Sequence, residues 1–157
     1  NRRAFDEALQ NESQRAQRYH TTLCLALLDV DHFKRVNDQL SHAVGDEVLK
    51  RVAAVLKQQS RSIDLLARWG GEEFAILLPD TSLEDATEVC ERLRHKVERL
   101  DLSDIAPDLH ITISIGLTTN YKLDLSQLLL HADQALYQAK RDGRNLLVIA
   151  GQSNKNG

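Results

Sequence analysis

The chain has 157 residues, of which 42% are hydrophobic and 27% are charged, and its formal net charge is −3. This composition is typical of a soluble globular protein, and the length suits one domain with a substantial core. Both signs of charge are spread along the chain and no apolar run approaches ~20 residues, so we expect no contact of this domain with nucleic acid and none with a membrane.

The cysteines and the lack of methionine bear on where the protein works. Cys24 and Cys90 lie within apolar patterns, so we interpret them as small core residues in a reducing compartment, not as a disulfide or a metal site. No secretory signal is visible, which predicts a cytoplasmic domain, whether or not the full-length protein is anchored in a membrane. The chain has no methionine, so we expect residues 1–157 to be a single domain from the C-terminal part of a longer protein.

The first third of the chain predicts a helix, a strand and a second helix. Residues 3–18 are polar with a thin apolar stripe, which is typical of a surface helix. Residues 22–30 form a nearly continuous apolar run, as expected of a central strand buried on both faces, with Asp29 at its end. A turn-rich segment follows, and helical spacing of apolar residues then runs from about residue 45 to residue 58.

A glycine pair at positions 70–71 predicts a hairpin with arms at residues 63–69 and 72–79. Glu72 and Glu73 follow the glycines directly, and the second arm then becomes apolar. Carboxylates at a glycine turn suit a hard cation and the phosphates that it carries. The same short motif also fits a solvated turn with two charges.

The rest of the chain predicts a helix, a strand, a helix and a strand, with bounds of about 81–100, 109–119, 125–141 and 146–150. Thr81 with Glu84 fits a capping box for the first of these helices, and Asp124 with Gln127 fits one for the second. The order α-β-α-β-β-α-β-α-β predicts an α/β (α+β) fold, with a mostly antiparallel sheet flanked by helices. We expect the polar tail, 151–157, to be loose.

Asp29 is the clearest candidate for a metal ligand outside the hairpin. A carboxylate at the end of a buried strand is costly unless something pairs with it, and Asp31, two residues on, could share its face. If this strand lies beside the hairpin, Asp29 and Glu72 could converge on one Mg²⁺. Alternatively, Asp29 is a satisfied strand-end residue or a helix cap.

Two further groups of polar residues could meet a nucleotide. Asn37, His42 and Asp46 follow the first strand, and Asn and Asp side chains can pair with the edge of a guanine. They also fit a polar surface loop with a helix cap at Asp46. Lys140 and Arg144 could bind a triphosphate or could merely offset a helix dipole.

Five motifs in register resemble the GGDEF domain of bacterial diguanylate cyclases. They are DVDHFKRVND (29–38), GD (45–46), RWGGEEF (68–74), TISIG (112–116) and ADQALYQAK followed by GRN (132–145). The resemblance covers nearly the whole chain. It implies a palm-like sheet similar to those of nucleotidyl cyclases and polymerases, and a reaction that condenses two GTP into cyclic di-GMP and two pyrophosphates.

The resemblance also implies roles for single residues. Mg²⁺, or Mn²⁺ in its place, would be bound by the carboxylates of Asp29 and Glu72 and the carbonyl of Val30. Glu72 or Glu73 would help to deprotonate the attacking 3′-hydroxyl, with Glu72 favoured, and the Lys34 side chain would stabilise charge in the transition state. The implied substrate contacts are the backbone N–H groups of Phe33 and Lys34 for phosphates, Asn37, His42 and Asp46 for guanine, and Lys140 and Arg144 for the terminal phosphates.

Partners and regulation follow from the same resemblance. One domain binds one GTP, so a two-fold product implies a catalytic homodimer, and members of the family commonly follow an upstream sensory domain. Arg61 and Asp64 form an R-x-x-D sequence that resembles the family's inhibitory site for cyclic di-GMP, and Arg92 resembles the secondary arginine of that site. The alternative is a surface ion pair of little energetic weight.

Three departures from the family pattern qualify these implications. Ser41 replaces the usual glycine before His42, which would reshape the guanine loop if that position needed a positive φ. The short acidic turn that normally precedes the domain is missing, and Trp69 replaces Tyr or Phe. Besides an active cyclase, we consider a silent receptor that holds GTP or cyclic di-GMP, and a ferredoxin-like domain without a ligand. The intact motif from 70 to 73 favours the enzyme.

Overall fold

The computed structural model describes residues 2–121 and 123–152 of the chain. Within these ranges the elements are, in chain order, α1 (Arg2–Tyr19), β1 (Leu23–Val30), α2 (Phe33–Gln39), α3 (His42–Gln59), β2 (Leu65–Arg68), β3 (Glu73–Pro79), α4 (Leu83–Glu98), β4 (Ile113–Thr119), α5 (Leu125–Arg141) and β5 (Leu147–Ile149). The strands form one sheet in the order β2-β3-β1-β4-β5. Only the β4–β5 pair is parallel, so the predicted α+β class with a mostly antiparallel sheet is confirmed.

The central strand β1 is buried along its whole length, and its two faces contribute to two different cores. Its even-numbered side chains lie in a cluster with residues of α3 and α4, whereas Leu23, Leu25 and Leu27 lie in a second cluster with α1 and α5. Successive side chains of a strand point to opposite faces, so helices on both sides of the sheet require an apolar residue at almost every position. This requirement explains the unbroken apolar run. Asp29 is an odd-numbered residue of β1, so it belongs to the face covered by α5.

The region after β1 is more helical than its sequence predicted. A short helix, α2, occupies the segment predicted as a turn, and α3 begins at His42 rather than near residue 45. Ser41 caps α3, since its Oγ accepts a hydrogen bond from the Val44 N–H at 3.1 Å. The alternative interpretation of Asp46 as a helix cap is therefore wrong.

The other helix caps were predicted with mixed success. The capping box of α5 is confirmed: Asp124 Oδ1 accepts from the Gln127 N–H at 2.9 Å, and Gln127 Oε1 accepts from the Asp124 N–H at 3.0 Å. The box predicted for α4 is wrong, because the cap is Ser82, whose Oγ accepts from the Asp85 N–H. Thr81 is instead buried, and its hydroxyl donates to the Pro79 carbonyl at 2.8 Å.

Strand ends also differ from the prediction. β4 begins at Ile113 and not at residue 109, and β2, β3 and β5 are shorter than predicted by three, one and two residues. Of the predicted loose tail, Gly151 and Gln152 are exposed and the remainder lies outside the described residues. No helix in the described part of the chain is long and apolar enough to cross a bilayer.

Both cysteines are free and fully buried, as predicted. Burial raises the pKa of the Cys24 thiol to about 11 and that of Cys90 to about 12. The thiolate is the reactive form of cysteine, so both side chains act as small apolar groups in the core between the sheet and α4.

Gly116 sets the distance between β4 and α5. A Cβ at this position would lie 2.3 Å from both the Ala132 carbonyl oxygen and the Leu136 nitrogen. These are backbone atoms of α5 and cannot move without moving the helix. We expect Gly116→Ala to lower the free energy of unfolding by about 3 kcal/mol, measured by urea denaturation.

The matched control is Gly71→Ala, because a Cβ at Gly71 would meet nothing within 4 Å. This variant should unfold at nearly the same urea concentration as the parent. Equal midpoints for the Gly71→Ala and Gly116→Ala variants would contradict the close approach of α5 to β4.

Candidate active site

Seven of the residues singled out from the sequence line one cleft. The cleft lies where β1 ends and α2 begins, has a volume of about 560 Å³, and is open to solvent. The residues are Asp29, Val30, Phe33, Lys34, Glu72, Lys140 and Arg144. Three separate parts of the chain thus supply carboxylates and cations to the same space.

Strand pairing brings the two acidic segments together. β1 lies beside β3, with Asp29 opposite Glu73 in the register. The Val30 N–H donates a hydrogen bond to the Glu72 carbonyl oxygen at 3.2 Å, which extends the pairing beyond the end of β3. The sequence predicted that Asp29 and Glu72 could share one cation if the first strand lay beside the hairpin. In the structure the first strand does lie beside the hairpin.

The glycine turn separates the environments of Glu72 and Glu73. The Trp69 and Gly70 N–H groups both donate to the Glu73 carbonyl oxygen, at 2.8 and 3.2 Å. A Cβ at Gly70 would lie 3.2 Å from Glu73 Oε2, so the Glu73 side chain lies against the turn. Glu72, by contrast, lines the cleft, which agrees with the preference for Glu72 as the residue closer to the chemistry.

Asp29 is a buried carboxylate, and only one of its two oxygens has a partner among the described residues. Its Oδ2 is paired with Lys140 Nζ, whereas its Oδ1 is buried and has no hydrogen-bond partner among the described residues. Burial raises the pKa of Asp29 to about 6, the Lys140 ammonium partly offsets this effect, and the charges of Glu72 and Glu73 add to it. An ionised, buried oxygen without a partner is costly, so Asp29 favours a second positive charge beside it.

The start of α2 lies at the cleft, which His32, Phe33 and Lys34 line. His32 precedes the helix with φ of 55°, in the left-handed region, and has no side-chain cap. The N–H groups of Phe33 and Lys34 are in the first turn, where a helix lacks internal acceptors. The Phe33 side chain is buried and the Lys34 side chain is exposed at the cleft.

The three residues predicted to bind guanine lie at the junction of α2 and α3, outside the lining of the main cleft. Asn37 is half-buried, and its Oδ1 has no hydrogen-bond partner among the described residues. A Cβ at Gly45 would lie 1.9 Å from that oxygen, so a larger residue here would displace the Asn37 side chain. His42 and Asp46 are exposed, and Asp46 lines a second cleft beside Phe74.

Ser41 does not reshape this junction through backbone strain. Its φ is −178° and its ψ is 166°, an extended conformation that any residue adopts. The replacement of the family's glycine by serine therefore needs no positive φ, and the serine adds the cap of α3 described above.

The arginine and the aspartate of the R-x-x-D sequence are bonded to each other. Asp64 accepts hydrogen bonds from the Arg61 backbone N–H at 2.8 Å and from the Arg61 guanidinium at 3.0 Å, and its side chain is 2% exposed. Arg61 also donates to the Pro79 carbonyl at 3.3 Å, yet its side chain is 49% exposed. Arg92 is exposed on α4 and has no hydrogen bond or ion pair with either residue in the described chain.

Two contacts of the site were not predicted from the sequence. One is the ion pair between Lys140 and Asp29, since Lys140 was expected either to bind a triphosphate or to offset a helix dipole. The other concerns Asp31, whose carboxylate binds hydroxyl groups of β4 and its approach instead of sharing a ligand with Asp29. The alternation of Thr112 and Ser114 was the only sequence signal for this second contact.

The family model described as "Diguanylate cyclase, GGDEF domain" matches residues 1–146. The chain belongs to the GGDEF family.

Individual relatives agree with this assignment. Diguanylate cyclase DgcP of Pseudomonas aeruginosa is 44% identical over 151 residues, which are 96% of this chain and 22% of that protein. The chain therefore spans about a fifth of the length of this relative.

Two solved structures show the same fold. The GGDEF domain of DgcB from Caulobacter crescentus, solved in complex with c-di-GMP, has a TM-score of 0.91 and 35% identity, and the match covers 97% of this chain and 91% of that one. The active GGEEF domain of a diguanylate cyclase from Vibrio cholerae has a TM-score of 0.90 and 33% identity, with 98% of both chains covered.

The raised pKa of Asp29 predicts a pH dependence of stability in the absence of metal. The unfolded carboxyl ionises near pH 4, whereas the folded one ionises near pH 6. Ionised Asp29 therefore destabilises the fold progressively as pH rises from 4 to 6, by at most about 3 kcal/mol above that range. In EDTA, Asp29→Asn should gain stability relative to the parent across this window, measured by urea denaturation.

A second variant tests the assigned cause. Lys140 lowers the pKa of Asp29, so in the Lys140→Met variant the loss of stability should begin near the same pH, continue to higher pH and be larger in total. A stability difference between the parent and Asp29→Asn that does not change from pH 4 to pH 8 would contradict the burial argument.

Proposed function

We propose that the chain is the catalytic domain of a diguanylate cyclase, which condenses two GTP into cyclic di-GMP and two pyrophosphates. The observation that carries the proposal is the partnerless Oδ1 of buried Asp29, in a cleft that Glu72, Lys140 and Arg144 also line. The relative from Vibrio cholerae, with the same GGEEF motif, is described as active. The alternative, a silent receptor for GTP or cyclic di-GMP, lacks a specific observation in its favour.

A divalent cation, Mg²⁺ or Mn²⁺ in its place, fits the residues at the base of the cleft. The ligands would be the carboxylates of Asp29 and Glu72 and the carbonyl of Val30, at the last position of β1. No cluster of three or more His, Cys, Asp or Glu side chains suited to a metal occurs in the described ranges. Two carboxylates and a carbonyl suit an ion that keeps phosphate oxygens and water as further ligands. When bound, the cation would polarise the phosphate and lower the pKa of the attacking hydroxyl.

The protein's own groups would position the triphosphate. The N–H groups of Phe33 and Lys34 would donate to phosphate oxygens, and the Lys34 side chain would stabilise the charge that develops during the transfer. Lys140 neutralises Asp29 in the free protein and would contact the terminal phosphates together with Arg144 once Asp29 binds the cation. This exchange would keep the buried Asp29 charge and the partly exposed Lys140 charge compensated in either state.

Glu72 would accept the proton of the attacking 3′-hydroxyl, either directly or through water. Its place in the cleft supports this role, whereas the Glu73 side chain lies against Gly70 and would have a supporting role. The hydroxyl would attack the α-phosphorus of a second GTP in line, and pyrophosphate would leave on the opposite side.

Asn37, His42 and Asp46 would bind the guanine. The partnerless Oδ1 of Asn37 can accept from a base amine, and the exposed carboxylate of Asp46 can accept from the ring N–H and amine. Both residues flank Gly45, so one close helix contact would set the shape of the guanine pocket.

Catalysis would require two copies of the chain. The cleft carries one set of metal and phosphate ligands, and the product has two equivalent halves, so a two-fold homodimer would bring two GTP face to face. We also propose that the domain works in the cytoplasm, under the control of a sensory domain upstream in the full-length protein.

Product inhibition would act through Arg61, Asp64 and Arg92. The half-exposed Arg61 guanidinium is held in place by Asp64, which prepares it for a guanine edge or a phosphate. The DgcB domain, which this chain resembles, was solved in complex with c-di-GMP. Exposed Arg92 on α4 would join the bound nucleotide as a second cation.

Removal of the Glu72 carboxylate should nearly abolish product formation. We expect Glu72→Ala to lower the rate by roughly 10²–10⁴-fold, because it removes both a metal ligand and a proton acceptor. The assay is the formation of cyclic di-GMP from GTP and Mg²⁺ at high protein concentration, followed by chromatography. The matched control is Glu88→Ala, which removes an exposed glutamate of α4 and should leave the rate unchanged.

The same assay separates the enzyme from the receptor. A parent chain that binds GTP but makes no cyclic di-GMP, even when fused to a dimeric coiled coil, would overturn the proposed activity and support the receptor.

Loss of the Arg61 guanidinium should relieve inhibition without loss of turnover. We expect Arg61→Ala to raise the concentration of cyclic di-GMP that halves the rate by about tenfold or more, since a charge-assisted contact is lost. The control is Arg18→Ala, which removes an exposed arginine at the end of α1. Unchanged inhibition in Arg61→Ala would show that the product binds elsewhere.

A further inference from the structure

Asp31 is a second buried carboxylate beside the cleft, and it differs from Asp29 in having its hydrogen bonds filled. It lies one residue beyond β1 and is 6% exposed. Its Oδ1 accepts from Ser114 Oγ at 2.6 Å, and its Oδ2 accepts from Thr112 Oγ1 at 2.7 Å and from the Asn145 backbone N–H at 3.0 Å. Because three donors already occupy it, Asp31 is a poor candidate for a metal ligand.

The Asn145 contact ties Asp31 to a strained loop. Gly143, Arg144 and Asn145 have φ values of 125°, 64° and 50°. Residues other than glycine pay about 1 kcal/mol or more in the left-handed region, so two in succession persist only where other contacts hold them. The Arg144 N–H donates to the Ala139 carbonyl at 3.0 Å, and the next N–H donates to Asp31.

A second group holds the same loop from the opposite side. Arg94 of α4 donates to the Asn145 carbonyl at 3.2 Å and to Asn145 Oδ1 at 3.0 Å, and it is fixed by an ion pair with Glu91 at 2.8 Å. Asn145 is thus held at its N–H, its carbonyl and its side chain. The residue just before it, Arg144, is exposed and lines the cleft.

We propose that Asp31 is a positioning residue that holds Arg144 at the cleft through the Asn145 N–H, so that triphosphate binding depends on a carboxylate that does not touch the nucleotide. The proposal rests on the proposed function for the part played by Arg144. It assigns different tasks to two carboxylates two residues apart: Asp29 is open to a cation, and Asp31 orders the loop that carries a phosphate ligand.

The first test measures the loop without any nucleotide. In Asp31→Ala, amide hydrogen exchange of residues 143–146 should be faster by about tenfold or more, because the Asn145 N–H loses its acceptor. The matched control is Ser114→Ala, which removes a hydroxyl from Asp31 and leaves the bond to Asn145. If Asp31→Ala is unfolded, Asp31→Val takes its place, because it also removes the acceptor and leaves a smaller cavity. Unchanged exchange in the folded variant would overturn the proposal.

The second test is a double-mutant cycle on the affinity for GTPαS in the presence of Mg²⁺. Asp31→Ala and Arg144→Ala should each weaken binding about tenfold, and the double variant should be no weaker than Arg144→Ala alone, because Asp31 acts through Arg144. Effects that multiply in the double variant would overturn the positioning role.

Asp31→Asn distinguishes positioning from direct metal ligation. An asparagine keeps one oxygen for the Asn145 N–H, and the hydroxyls of Thr112 and Ser114 can rotate to accept from its amide. We therefore expect it to restore most of the affinity lost in Asp31→Ala. An asparagine variant as weak as the alanine variant would point to a metal ligand and overturn the proposal. A parent that fails to bind GTPαS would refute the proposed function, while the exchange experiment would still decide the anchoring of the loop.

Discussion

The structure depends on one unfavourable charge, the Asp29 carboxylate at the end of the central strand. All other residues of β1 are apolar and buried, so this charge has little access to water. Its pKa is raised to about 6, and one of its oxygens has no partner in the described chain. The glycine turn before β3 supplies Glu72, and α5 supplies Lys140. Those elements meet at Asp29 because β1 is central in the sheet, and the bound cation proposed above would compensate the charge further.

Much of the fold could be predicted because its helices and strands have strong periodicity. β1, the two arms of the hairpin, α4 and α5 were all expected at nearly their observed positions. Short elements were missed: α2 has seven residues and is polar, so its sequence resembles a turn. At the start of α4, Thr81 and Ser82 are both plausible caps, and tertiary contacts of Thr81 with Pro79 and Arg61 decide between them.

The sequence predicted which residues lie at the cleft better than it predicted the contacts among them. The motifs identified seven of the residues that line the cleft, but spacing along the chain does not show which charges pair when the nucleotide is absent. The Lys140–Asp29 pair spans 111 positions in the sequence, and the Asp31–Asn145 bond spans 114. Both require α5 to return along β1, which depends on Gly116 at the crossing with β4. The residue pattern of a single segment does not show where two distant elements of the fold cross.

The contrast between Asp29 and Asp31 shows how environment, and not residue type, assigns the function of a carboxylate. The segment that leads into β4 places Thr112 and Ser114 beside Asp31, and the strained loop adds a backbone N–H, so that carboxylate is neutralised by dipoles. Asp29 receives a single flexible ammonium, which can leave when a stronger cation arrives. Rigid donors suit a residue that must stay in place, whereas one exchangeable partner suits a residue that must change its ligand. The local donor set therefore separates the positioning role proposed for one aspartate from the ligand role proposed for the other.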